Sequence, residues 1–408
     1  MLEAGAFISD RRLASLKTSA SAQPHVLAPA YEHQEAVFGR VFTVLENGIS
    51  ARAFPAASLA ITHARKLVAL RAFGHFTYDP EGAPPLSGSG PPGGDSDVTP
   101  FTLFDLASLT KVAATTTAAM ILYERGLLDL EAPVAFIAPE FAAGPDPRRK
   151  EVTVRMLLAH SSGLPAYEKL FLKARTRDEL LCAALSLPLA ADPAARAQYS
   201  DIGFIVLGVA LERLAGEPLD NFCRREVFGP LGMASTTFNP PPELRSRIPP
   251  TVDDSTFRNR IIQGEVQDEN AFVLGGVAPH AGLFSTAEDV ARFAHALLQG
   301  ASPILRPETV ALFTRRQSAP ARTSRALGWD TPSLPSQSGK YFSSSSFGHL
   351  GYTGTSLWID PARRLSVTLL TNRTWPDCSN QAIKQVRPAF HDAVIEALDA
   401  AASKESNA

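Results

Sequence analysis

Segments with strand character sit near the two ends of the chain, with a long block of helical pattern between them. Ser58–Ala64 (SLAITHA) and Lys66–Gly74 (KLVALRAFG) are short and rich in apolar residues, and they fit a β-hairpin. Thr355–Asp360 (TSLWID) and Leu365–Asn372 (LSVTLLTN) fit a second hairpin, turned at Pro361–Arg364. An amphipathic helix near residues 31–48 precedes the first pair, and another over about Asn380–Ala401 follows the second. Between them run helical patterns from Ser108 to Tyr123, with Gly126 as a stop, and in VTVRMLLAH, RDELLCAALS, DIGFIVLGVALERLAG, LDNFCRREVFGPL and Ala287–Gln299. The expected fold is therefore α+β: one antiparallel sheet built from both chain ends and flanked by helices. Residues 31–128 and 275–400 would form this sheet domain and 129–274 a mainly helical lobe. Residues 1–30 would be an N-terminal extension and 401–408 a tail.

Composition narrows the function classes. Lys plus Arg total 39 and Asp plus Glu 41, so the net charge of −2 argues against a protein that coats nucleic acid or acidic membranes. The longest apolar run, Val112–Tyr123, is too short to span a bilayer. The N-terminus as given carries no apolar signal core, so the expected location is the cytoplasm, with export the alternative if the start is mis-assigned. Cys182, Cys223 and Cys378 are odd in number and form no CxxC, so they read as three buried thiols rather than as disulfides or zinc ligands. Gly88, Gly90 and Gly93 spell GxGxxG inside a Gly- and Pro-rich stretch. With no strand before it and no helix after, the dinucleotide reading fails. There is no HExxH and no GxSxG, so nothing suggests a metal or a nucleophile elbow.

The sharpest chemical feature is Ser108-Leu109-Thr110-Lys111 at the mouth of a helix that is apolar nearly all round. Positions i and i+3 lie one turn apart on one face, so hydroxyl and amine can touch. A serine needs such a neighbouring base to become a nucleophile at neutral pH. That requires the Lys111 pKa to be brought down, which burial against an apolar helix can do. Taken alone, the pattern could also be a capping serine followed by a solvated lysine. Tyr199-Ser200-Asp201 opens another apolar helix and can place two polar side chains in a cleft. Near the C-terminal hairpin, GHLGYTGTSLWID puts His349 at the edge of a strand and Gly348, Gly351 and Gly354 where a substrate could lie against the backbone. Asp268-Glu269-Asn270 could line the cleft or simply turn the chain, with the turn favoured, and His160 with Ser161 and Ser162 reads as a loop cap. Arg373 and Trp375 could border a site.

In this order and spacing, the three pieces resemble the serine β-lactamase and penicillin-binding-protein superfamily, and most closely its class C-like esterase branch. The resemblance covers about residues 36–395. Ser108 and Lys111 match its SxxK motif, Tyr199 and Asp201 its YxN motif, and His349, Leu350 and Gly351 its Lys-Thr-Gly or His-Thr-Gly motif. It implies that Ser108 forms an acyl-enzyme, with Lys111 and Tyr199 sharing proton transfer. It also implies an oxyanion hole made by the backbone N–H groups of Ser108 and Tyr352, and no metal or organic cofactor. Three departures bear on substrate choice. Asp201 stands where Asn is usual, Leu350 where Thr is usual, and His349 where Lys is more familiar. These weaken recognition of carboxylates. The expected activity is that of an esterase or amidase on small acyl substrates. A β-lactamase or D-alanyl peptidase is the alternative within the fold, and a non-catalytic binding or scaffold protein the alternative outside it. The expected partner is a small ester, amide or lactam, with no nucleic acid and no membrane span. The sequence leaves the oligomeric state open.

Overall fold

In the first strand of the N-terminal hairpin, Ala56–His63, alternate side chains point to opposite faces and both faces are buried. Leu59 and Ile61 join one apolar cluster and Ala56 and Ala60 another. The computed structural model describes residues 27–78, 97–299 and 303–406. Most of the expected N-terminal extension and the Gly88/Gly90/Gly93 pattern lie outside the described residues.

The main sheet has six strands: β1 (Ala28–Pro29), β2 (Ala56–His63), β3 (Lys66–Gly74), β4 (Phe347–Leu350), β5 (Ser356–Asp360) and β6 (Leu365–Thr371), in the order β1-β3-β2-β6-β5-β4. The two hairpins, β2–β3 and β5–β6, are the ones legible in sequence. They join edge to edge through antiparallel β2–β6 pairing, with Leu59 opposite Leu369 and Ile61 opposite Val367. Only β1 departs from the antiparallel expectation, pairing parallel to β3. Strand β4 was not legible, because FGHL has no β-branched run. It forms because β5 presents a free edge, on which His349 pairs with Leu357.

Helix α1 (Gln34–Ser50) packs on one face of this sheet through Phe38, Val41, Phe42 and Leu45. The C-terminal helix adds Phe390, Val394 and Ile395 to the same cluster. Each such side chain stabilises the fold by about 1.5–3 kcal/mol when fully buried. The Ser108 segment does not form one uniform helix. It runs as a π-turn over Lys111–Thr116 and continues as α2 (Thr117–Glu124), and the Thr117 hydroxyl donates to the Val112 carbonyl at 2.8 Å. Such π-turns are frequent at functional sites. Helix α3 (Asp201–Ala215) starts at Ser200, whose hydroxyl accepts the Gly203 N–H at 2.9 Å, and ends at Gly216 in the left-handed conformation. Tyr199 is thus held immediately before the helix, and Asp201 is its first residue. Helix α4 (Ala287–Leu298) covers the other face of the sheet through Val290, Phe293 and Ala294. Helix α5 (Ile383–Ser406) runs on through most of the stretch read as a tail. A small sheet pairs Phe104–Asp105 with Leu283–Ser285, and this strand leads directly into Ser108.

The cysteine expectation is corrected in part. Cys223 is buried, but Cys182 is exposed because it falls on the solvent side of Arg177–Ser186, and Cys378 is half-buried. No helix among the described residues is long and apolar enough to cross a membrane.

Candidate active site

Ser108 is presented by a strained turn. Ala107, just before it, has a φ of +47°, which a non-glycine residue adopts only when its surroundings hold it there. Asp105 supplies the hold: its Oδ1 accepts the Ala107 N–H at 2.8 Å and its Oδ2 the Gln267 N–H at 2.7 Å. Burial pushes the Asp105 carboxyl up to about 6, against the pull of these two backbone bonds.

Ser108, Lys111 and Tyr199 come together. The Ser108 Oγ accepts from Lys111 Nζ at 3.0 Å and from the Tyr199 hydroxyl at 2.7 Å. Lys111 is fully buried, donates to the His280 carbonyl at 2.9 Å and pairs with Asp201 Oδ1 at 2.6 Å. Its ammonium also lies 4.9 Å from the centre of the Tyr199 ring. His160 steadies Tyr199, with ring centres 4.7 Å apart, while its Nδ1 accepts the Ser200 N–H at 3.1 Å. This is the structural role its loop position suggested.

The charge on Lys111 corrects the expectation from sequence. Burial does act to lower its pKa, but the Asp201 carboxylate and the Tyr199 oxygen outweigh that, and the net shift is upward. Burial raises the pKa of the Tyr199 phenol, so it is neutral at pH 7. The resting site therefore holds an ammonium–carboxylate pair beside a neutral phenol. An asparagine in place of Asp201 would not create that pair.

The third motif flanks the same cleft, of about 750 Å³. His349 is buried, and its Nδ1 donates to the Leu350 carbonyl at 2.8 Å. Burial, then Lys111 and Arg325, bring its pKa down to about 3, so His349 is neutral. The glycines of this motif are required by packing. A Cβ on Gly348 would meet the Leu357 carbonyl at 2.4 Å, and one on Gly351 would meet Thr355 Oγ1 at 1.9 Å. Gly354 has a φ of +99°. A side chain at any of the three would meet neighbouring protein atoms, while Gly351 also lines the cleft. Tyr352 is half exposed at the cleft, with the Arg373 guanidinium 4.4 Å from its ring centre.

The Beta-lactamase family profile matches residues 41–387. The chain belongs to this family. It is a β-lactamase-related serine hydrolase. It is 32% identical over 366 residues to the N-acetylmuramyl-L-alanine amidase of Bacillus subtilis (strain 168), covering 82% of this chain and 80% of that protein. It is 32% identical to a putative D-alanyl-D-alanine carboxypeptidase of Escherichia coli (strain K12) over 67% of this chain and 69% of the relative. Its fold superposes on EstCE1, a hydrolase with promiscuous acyltransferase activity, with a TM-score of 0.69 at 22% identity, covering 88% and 99% of the two chains.

The cleft of this β-lactamase-family fold also takes in residues outside the three motifs. Asp268 caps a short helix by accepting the Ala271 N–H at 2.7 Å, and it also lines the cleft and pairs with His280 at 2.9 Å. Asp268 thus both turns the chain and lines the cleft, the two readings its sequence left open. Tyr167, Arg325 and Arg387 also line the cleft and carried no local signal, since each is remote from the motifs in sequence. Arg373 borders the cleft as the sequence suggested it could, whereas Trp375 is buried and is not among the cleft residues.

Proposed function

We propose that this enzyme hydrolyses esters or amides of small acyl groups through an acyl-enzyme on Ser108. The observation that carries the reading is the Ser108 hydroxyl within hydrogen-bonding distance of both Lys111 Nζ and the Tyr199 phenol on the wall of the cleft. In the reactive form Lys111 has lost its proton. Its amine takes the Ser108 proton as Oγ attacks the substrate carbonyl, and the Tyr199 phenol gives its proton to the departing alcohol or amine. Tyr199 recovers a proton from Lys111, and water then releases the acid from Ser108. The N–H groups of Ser108 and Tyr352 receive the oxyanion, and removing one such donor typically costs about 2.7–4 kcal/mol. His349, Gly351 and Asp201 line the substrate side. The neutral ring of His349 supports a preference for uncharged acyl groups. The amide alternative is supported by the name of the Bacillus subtilis relative.

The test is covalent labelling with a fluorophosphonate, followed by peptide mapping, then turnover of short p-nitrophenyl esters, an N-acyl amide and nitrocefin per labelled site. Labelling at Ser108, with esters or amides faster than nitrocefin, is expected. A specific observation favours a second reading, cleavage of lactams or D-alanyl peptides. Arg325 lines the cleft with its guanidinium 5.4 Å from the Tyr199 ring centre, and it could receive a substrate carboxylate. Faster nitrocefin turnover would establish that reading instead. No labelling and no turnover would leave a scaffold that retains the fold.

The upward shift of Lys111 carries its own prediction. If a neutral Lys111 is the base, its pKa sets the acidic limb of kcat/KM against pH. Asp201 raises that pKa, so the wild-type limb lies towards alkaline pH. Asp201→Asn removes the raising carboxylate while burial still lowers the pKa, so the limb moves to lower pH. A pH–rate profile checks this, and a limb that stays in place or moves up contradicts Lys111 as the base.

A further inference from the structure

Arg387 on α5 is buried, yet among the described residues it pairs with no carboxylate. All its hydrogen bonds go to backbone carbonyls of one loop. Nη2 donates to Gly351 O at 2.7 Å and to Thr355 O at 3.0 Å, and Nε donates to Gly354 O at 3.1 Å. Burial, with the repulsion of Arg373, brings its pKa down to about 9, the mark of a cation placed where it is costly to keep.

The bond at Gly351 matters most, because that carbonyl belongs to the peptide unit whose N–H is that of Tyr352. The unit is trans and planar, so its two polar ends point in opposite directions. With Gly351 O turned to Arg387, the Tyr352 N–H faces away from the guanidinium. Among the described residues this N–H has no hydrogen-bond partner, and neither has the N–H of Ser108. The rest of the loop is tied to the strand that leads into Ser108. The Thr353 hydroxyl donates to Asp105 O at 2.8 Å, and the Thr355 hydroxyl to Leu106 O at 3.0 Å. The two free N–H groups therefore belong to segments stitched together, and the cation lies behind one of them.

We propose that Arg387 is a positioning residue of the oxyanion site, whose guanidinium fixes and polarises the Gly351–Tyr352 peptide so that the Tyr352 N–H meets the developing negative charge. A cation on the carbonyl oxygen draws density through the amide and strengthens the N–H as a donor, and a donor held in place before reaction needs no reorganisation. The inference rests on the Ser108 acyl-enzyme reading.

The experiment compares wild type, Arg387→Met and Arg387→Lys in the full chain. It measures kcat and KM on one p-nitrophenyl ester, inhibition by a boronic acid carrying the same acyl group, and thermal melting. For Arg387→Met, kcat should fall by about 10²-fold with KM changed less than about threefold. The boronic acid, whose tetrahedral adduct uses the oxyanion site, should weaken by about the factor lost in kcat/KM. Arg387→Lys keeps the charge but not the three-carbonyl geometry and should fall between. It serves as the sole reporter if Arg387→Met does not fold. A melting shift with kcat and boronate affinity unchanged would reduce Arg387 to a structural part and overturn the proposal, as would a loss confined to KM. Ser108→Ala separates the two layers. If it keeps turnover, the acyl-enzyme reading fails. If it is inactive while the Arg387 variants keep full kcat, this inference alone fails.

Discussion

Ser108→Ala should lower ester and amide turnover by about 10⁴-fold or more, the scale seen when a nucleophile acting in concert with its base is removed. The same substitution should abolish fluorophosphonate labelling. Its structural cost is small. Lys111 keeps Asp201 and the His280 carbonyl as partners. Tyr199 loses the acceptor it has at 2.7 Å, at a cost of about 1 kcal/mol. The protein should therefore stay folded, and its inactivity would reflect chemistry. Steady-state kinetics with a melting curve on the same sample checks both parts. Near-wild-type turnover in a labelling-negative variant would mean that another group attacks the substrate.

Lys111→Met should produce the second large effect, and it should produce two losses that can be separated. As the proposed base, Lys111 contributes about 10²–10⁴-fold to turnover. As the cation opposite a largely buried Asp201, it also neutralises that carboxylate. Removing one partner of a buried pair typically costs 3–5 kcal/mol, and the partial exposure of Asp201 places this case at about 3 kcal/mol. Lys111→Met should thus be both inactive and less stable in denaturant unfolding. Combining it with Asp201→Asn removes the stranded charge, so the double variant should regain most of the stability and none of the activity. Recovery of turnover in the double variant would remove Lys111 from the proton path.

Much of the architecture could be read from local pattern. Both hairpins, α1 and the apolar α3 stand close to where periodicity and turn residues put them. What escaped were pieces with no local driving force. Strand β4 exists because β5 offers an edge, and the π-turn at Lys111–Thr116 has no sequence signature of its own. The Ser108–Lys111 spacing was legible because a helical turn brings i and i+3 together whatever surrounds it. Tyr199, ninety-one residues away, could be read from sequence as facing a cleft, but its partnership with Ser108 entered only by resemblance.

The sequence by itself determined that a serine and a lysine would share one helical face at the mouth of an apolar helix, because backbone geometry and periodicity are local. The charge on that lysine and the shape of the proposed oxyanion site were decided only in three dimensions. Asp201 raises Lys111 because folding sets it 2.6 Å away, and Arg387 grips Gly351 because the C-terminal helix docks beside the loop. Electrostatic energy depends on distance and burial, and the order of residues along the chain specifies neither.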